Sequence, residues 1–280
     1  QSGHSIYFRE FDGFVNQVIG REIPKSFTKQ LFKYYNFSDE KLLTPTKSFL
    51  YNKTLEQADK IVVVHEELKK NLSKHQPKSK IEVIPLGVDI DYFDFVKRKE
   101  TNELISVGAL RKRKGFKYLI QAMKQVVEMN NNIVLNIFGE GPRRQYLESM
   151  ISKFGLNKNV VLHGRVPQDE LKQYLQSAIC FIHPTLSEGY PHVRLEAMAS
   201  GCPVIGTSVT GAEEMITHNE NGYIVNKADS GQIAKYIQKL LTNFNNVKKF
   251  SIKGREYVEN NHRYDQIGQQ YREVYSELLE

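Results

Sequence analysis

Apolar positions in this chain change their spacing near residue 100. Beyond that point, short apolar runs alternate with stretches where apolar residues recur every three or four positions. A short continuous run suits a strand covered on both faces, and the wider spacing suits a helix with one buried stripe. The pattern predicts strands over 104–107, 133–138, 160–162, 178–182, 203–205 and 222–225. It predicts helices over 115–129, 143–154, 169–175, 193–199 and 232–241, then a largely helical tail. Regular alternation of this kind implies a parallel sheet with helices on both faces, so 98–245 is expected to be a doubly wound α/β domain.

The opening part is patterned more weakly. Helices are expected over 49–58 and 66–72 and strands over 60–64 and 81–84. Pro85-Leu86-Gly87-Val88-Asp89 punctuates the chain, and the charged, aperiodic stretch 94–100 reads as a linker. Residues before 48 are aromatic and basic. Two strands make a poor independent sheet. Residues 1–97 are therefore expected to be the back half of another α/β domain, truncated at its start. The absence of an initiator Met and of a basic-then-apolar leader fits a processed chain or a fragment.

Composition narrows the class. The 280 residues allow one large domain or two ordinary ones. With 40% hydrophobic and 25% charged residues, the chain is globular rather than disordered. No apolar run approaches the roughly 20 residues that span a bilayer. The cysteines, Cys180 and Cys202, read as reduced buried thiols of a cytosolic protein rather than a disulfide or metal site. The net charge of +7 suits phosphorylated ligands, anionic lipid surfaces or nucleic acid, and does not choose among them.

Four strand-to-helix junctions carry candidate chemistry. Gly108-Ala109-Leu110-Arg111-Lys112-Arg113-Lys114-Gly115 sets four cations before a helix N-terminus, where backbone donors add to positive charge and favour phosphate. A solvated basic loop or a nucleic-acid patch would look the same. Gly139-Glu140-Gly141-Pro142-Arg143-Arg144 is a weak dinucleotide fingerprint, with Arg144 in place of the last glycine, and reads as a tight turn lining a cleft. Glu188 and Glu196 stand eight positions apart, one on a loop and one inside a helix, separated by Gly189-Tyr190-Pro191. Two carboxylates in one cleft can act as acid and base or can bind sugar hydroxyls. Pro191 suits a first helical turn, leaving the His192 and Val193 N–H groups to face an anion. An ordinary cap and a solvent-facing glutamate are the plainer reading. Thr207-Ser208-Val209-Thr210-Gly211 repeats the layout after the next strand. Together the junctions describe a phosphate-and-sugar cleft at the carboxyl edge of a sheet.

In these segments the sequence resembles the retaining glycosyltransferases of family 4, also called group 1, which have the two-domain GT-B fold. The match runs through 107–115, 138–142, His163-Gly164-Arg165-Val166-Pro167, the Glu188 to Glu196 block with its Ala197-Met198-Ala199-Ser200-Gly201 flank, and 211–214. The resemblance implies two Rossmann-like domains and a donor that is a UDP-, GDP- or ADP-linked sugar. Glu196 would bind the ribose hydroxyls, Lys114 the diphosphate, and Glu188 the donor sugar. Gly108, Gly189, Tyr190 and Pro191 would line the donor, and backbone around Arg165 and Val166 would meet the base. It implies no metal or other cofactor. The acceptor would be a glycan or glycolipid, in polysaccharide biosynthesis, at the cytoplasmic face of an anionic membrane. Residues 246–280 would be C-terminal helices returning toward the N-terminal domain. Two positions depart from the pattern. Ala109 stands where the family usually has an Arg that Arg111 or Arg113 would have to replace, and Leu86 stands where it has Asn.

The leading expectation is therefore glycosyl transfer with retention, by a hexosyltransferase-type enzyme. The alternative is a catalytically silent nucleotide-sugar-binding module. A nicotinamide oxidoreductase rests only on the Gly139 turn, and nucleic-acid binding, which is not expected, only on 111–114.

Overall fold

A computed structural model of the chain describes residues 58–74, 76–209 and 212–279. They fall into two compact units, one up to Gly87 and again from His262, the other Val88–Asn261.

In the first unit, β1 (Ile61–Val63) pairs in parallel with β2 (Ile81–Val83) across α1 (Glu66–Leu72). The α1 start follows from His65, whose Nδ1 accepts the Leu68 N–H, with Glu66 and Glu67 in the first turn. The C-terminal helix, which we call α9 (Tyr264–Leu279), sets Ile267, Tyr271 and Val274 against Val62 and Ile84. It lies within the helical tail that the pattern predicts. The helix expected over 49–58 falls almost entirely outside the described residues.

The second unit holds six strands: β3 (Glu103–Val107), β4 (Val134–Phe138), β5 (Val160–Gly164), β6 (Cys180–His183), β7 (Val204–Thr207) and β8 (Gly222–Val225). All are parallel, in the order β5-β4-β3-β6-β7-β8. The helices are α2 (Phe116–Met129), α3 (Arg144–Lys153), α4 (Gln168–Ser177), α5 (His192–Ala199), the short α6 (Ala212–Met215), α7 (Ser230–Thr242) and α8 (Phe244–Asn261). Leu119, Ile120, Met123 and Val126 of α2 join Leu147 of α3, Ile233 and Ile237 of α7, and Leu104, Ile137, Ile182 and Ile205 of the strands in one core. Strand residues of the other parity, such as Ile105 and Phe181, are equally buried. There α4 packs on β3, and α5 on β6 and β7, as a doubly wound sheet requires.

Chain order runs outward from β3 through β4 to β5, then returns to β6 on the other side of β3. The loops after β3 and β6 therefore leave the sheet in opposite directions, and the crevice between them is where such sheets bind ligands.

Several strands run on past their apolar stretch. β5 continues through His163 and Gly164, β6 through His183, and β7 through Gly206 and Thr207. Backbone pairing does not depend on the side chain, so the ladder persists where polar residues begin. The unit boundaries also differ from those expected at 97/98 and 245/246. Residues 94–100 have no regular structure, but they are no solvated linker. Arg98 is buried and donates to the carbonyls of Leu175, Ala178 and Ser200. Phe93 is buried as well, and Arg255 of α8 donates to the carbonyls of Ile90 and Phe93. Helix α8 belongs to the second unit through Val247, Phe250 and Val258, so the helical tail is split and only α9 joins the first.

Candidate functional site

Gly115 sets the geometry between β3 and α2. It lies in the left-handed region at φ 70°, and a Cβ there would stand 1.9 Å from the Pro184 carbonyl oxygen. Only glycine lets the loop after β3 press against the segment after β6. Two further bonds close the seam: Leu186 N–H to Arg113 O at 2.7 Å, and Thr185 Oγ1 to Arg113 O at 3.2 Å.

This seam brings Lys114 to Glu188. The Lys114 ammonium is ion-paired with Glu188 Oε2, and Arg113 Nη1 lies 3.6 Å from Oε1 while also donating to Ser187 O. The Glu188 and Lys114 side chains are only 10% and 14% exposed, so their charges are largely out of water and each depends on the other. Arg113 is thus the arginine that reaches the carboxylate. Arg111 instead lines a pocket of about 100 Å³ with Lys112, Arg143 and Tyr146.

The other junctions are laced to this seam. Leu110 N–H bonds Glu140 O at 2.9 Å, and Gly139 N–H bonds Gly164 O at 2.6 Å. A Cβ on Gly139 would meet Gly108 O at 2.1 Å, and one on Gly141 would meet Leu110 O at 2.6 Å. These glycines serve loop-on-loop packing, which accounts for the glycine turn without a dinucleotide. Arg165 is exposed and Val166 half-buried beyond the end of β5, so they share the edge but not the central cluster. Gly108 is half-buried at the end of β3.

Glu196 sits within α5, with Oε1 3.1 Å from His192 Nδ1 one turn earlier. Its side chain is 14% exposed, so neither glutamate faces open solvent. The loop before α5 corrects one expectation. The His192 N–H bonds Tyr190 O at 3.0 Å and is not held free for an anion. Pro191 is the cap residue itself, and Gly189 and Tyr190 are half-buried beside it. After β7, the Ser208 hydroxyl donates to Glu213 Oε1, while Thr210 and Gly211 lie outside the described residues.

Two residues went unremarked in the sequence. His183 ends β6 and Arg194 lies in α5, both fully enclosed. Arg194 Nε donates to His183 Nδ1 at 3.0 Å and Nη2 to Thr207 O at 3.2 Å. Burial, helped by the charges of Arg194, Lys114 and Arg113, holds the His183 imidazole well below its usual range. Burial also pushes the Arg194 guanidinium down to about 9, against the pull of Glu188. The available signal was a charged residue among Leu195, Ala197 and Met198, where an apolar helix position was due.

Comparison with known proteins identifies the family. Residues 89–257 match the profile described as glycosyl transferases group 1, and residues 20–92 that of glycosyltransferase family 4. An uncharacterized glycosyltransferase of Methanocaldococcus jannaschii is 32% identical over 221 residues, covering 73% of this chain and 54% of that protein. The capsular polysaccharide biosynthesis glycosyltransferase CapM of Staphylococcus aureus is 33% identical over 174 residues, covering 62% of this chain and 45% of CapM. The chain thus spans about half the length of these relatives. Anabaena HepE, crystallised with UDP, aligns with a TM-score of 0.80 at 18% identity, covering 94% of this chain and 76% of HepE. That likeness shows the fold, which is of the GT-B type. By the match over 89–257, the chain belongs to the glycosyl transferases group 1 family.

Proposed function

We propose that the chain binds a nucleotide-diphosphate sugar at the carboxyl edge of its six-stranded sheet and moves the sugar to an acceptor hydroxyl with retention of anomeric configuration. The carrying observation is the convergence of Lys114, Arg113 and Glu188 at the point where strand order reverses. Two cations and one carboxylate leave a positive surplus facing the cleft, which suits a diphosphate. HepE, which shares this fold, was solved with UDP, which supports the choice of a nucleotide-linked donor.

In this reading the C1–O bond to the diphosphate breaks and its electron pair leaves with the phosphate. Lys114 and Arg113 meet the charge that develops there, which is the term that most lowers such barriers. The acceptor oxygen bonds C1 on the face the diphosphate vacates, and its proton passes to the released phosphate. Glu188 accepts hydrogen bonds from the sugar and Glu196 from the ribose, with Gly108, Gly189, Tyr190 and Pro191 lining the donor. Arg165 and Val166, further along the edge, meet the base. The diphosphate is assigned to side-chain cations, with no metal or other cofactor in the reading. The acceptor is a glycan or glycolipid, as CapM's role in capsular polysaccharide biosynthesis suggests. The described residues contain no helix long and apolar enough to cross a membrane. A cytoplasmic protein working at the inner face of an anionic membrane is the proposed setting.

Calorimetry with UDP, GDP and ADP, followed by donor hydrolysis on the same sample, tests the reading. Binding of one nucleotide together with hydrolysis of its sugar derivative is expected. Binding without hydrolysis in a chain extended to the length of its relatives would instead establish a silent module. The absence of any nucleotide binding would refute the donor site.

A further inference from the structure

We infer that Arg194 and His183 are positioning residues for Glu188: Arg194 holds the His183 imidazole with its proton on Nε2, and that N–H is aimed at the Glu188 carboxylate.

The argument begins with donors and acceptors. A guanidinium has five N–H groups and no acceptor. With Arg194 Nε 3.0 Å from His183 Nδ1, Nδ1 must accept. The ring is kept neutral by burial and by the cations around it. A neutral imidazole has one proton, so the proton is on Nε2. Among the described residues Nε2 has no hydrogen-bond partner, and Glu188 Oε2 lies 4.0 Å from it. A shift of about 1 Å would bring the two to hydrogen-bond distance.

The fold makes room for this arrangement at a cost. A Cβ on Gly206 would stand 2.8 Å from Arg194 Cζ, so glycine in β7 provides the space that the guanidinium fills. Among the described residues no carboxylate is ion-paired with Arg194, and its Nη1 is left without a partner. An enclosed charge in that state is destabilising, and an aliphatic residue would stabilise the same helix position better. A role for Arg194 through His183 accounts for that cost.

The consequence rests on the donor-site reading. Lys114 is paired with Glu188 in the empty site, and a diphosphate would draw the ammonium toward itself. Glu188 would then lose its main cationic partner while facing the sugar. The His183 Nε2–H is the donor in place to keep the carboxylate aligned, because Arg194 prevents that proton from residing on Nδ1.

Selective 15N-histidine NMR of the full chain reads the tautomer directly and needs no ligand. His183 is expected to show a protonated Nε2 and a bare Nδ1, and to remain neutral at pH 5. A protonated Nδ1 would overturn the inference without any variant having to fold. Arg194→Leu should fold, shift the proton toward Nδ1, and lower kcat for hydrolysis of UDP-glucose or GDP-mannose about tenfold with little change in KM. Arg194→Lys keeps a donor and should restore the Nε2–H form and most of kcat. Glu196→Ala separates the two claims. If it leaves UDP and GDP affinity unchanged, the donor reading fails and the tautomer result stands. If it weakens nucleotide binding while Arg194→Leu alters neither tautomer nor kcat, the positioning role alone fails.

Discussion

Lys114 and Glu188 are 74 residues apart in sequence and ion-paired in the fold. Neither reaches the other through its own element. The contact exists because the loop after β3 and the loop after β6 leave adjacent strands and are pressed together at Gly115. Lys114→Ala should therefore lower the donor-hydrolysis rate about a hundredfold, the scale for removing one group that stabilises developing charge. Nucleotide affinity should fall much less, because Arg113 remains beside the same carboxylate. Equal losses in rate and affinity would show that Lys114 serves binding alone.

Glu196→Ala should weaken UDP or GDP binding by about 1.5–3 kcal/mol, the worth of hydrogen bonds to a charged group. A deoxyribose comparison locates the loss. The wild type should prefer the ribonucleotide over its 2′-deoxy analogue, and the variant should lose most of that preference. An undiminished preference would remove Glu196 from the ribose.

Gly115 and Gly155 share a left-handed conformation, at φ 70° and 69°, and differ in surroundings. Gly155→Ala meets nothing within 4 Å and should lose only the conformational term, about 1–2 kcal/mol. Gly115→Ala adds a collision with the Pro184 carbonyl and should lose about 3 kcal/mol or more, along with donor hydrolysis. Urea unfolding of the two variants checks the difference. Equal losses would mean that the seam can open freely.

Three histidines predict the response to acid. His65, pushed down to about 4, His163 and His183 all lie below the ordinary 6.5, burial being the first cause in each. Each binds a proton less readily when folded than when unfolded, a difference that counts as pH falls through 6.5. The unfolded state then binds more protons, so stability falls as pH drops through that value. The paired carboxylates Asp94 and Asp265, lowered from 3.8 chiefly by Lys172 and Arg263, act in a more acidic window. Urea midpoints should therefore decline between pH 6.5 and 4.5, and a flat profile there would contradict the burial of these rings.

Much of the second unit was legible in the sequence. All six of its strands lie where apolar runs were read, and in the first unit helix 66–72 matches its predicted span. The misreadings have a common cause. His163, His183 and Thr207 interrupt the apolar signal, although backbone pairing carries β5, β6 and β7 through them. Arg98 made 94–100 look solvated, because its hydrogen bonds to distant carbonyls leave no local pattern. Arg194 was overlooked for a similar reason: its partners lie on β6 and β7.

The sequence by itself determined the local elements and the glycine-rich junctions that follow the strands. Those depend on side-chain period and backbone freedom within a few neighbours. Tertiary structure alone decided which junctions meet. The reversal of strand order at β3 and β6 set Arg113 rather than Arg111 beside Glu188 and enclosed His183 with Arg194. It turned two glutamates eight positions apart into a cation-held carboxylate on a loop and a histidine-paired one on a helix. The physical reason is that charge and hydrogen bonding act through space, and the spatial neighbours of a residue follow from strand order, which no local spacing records.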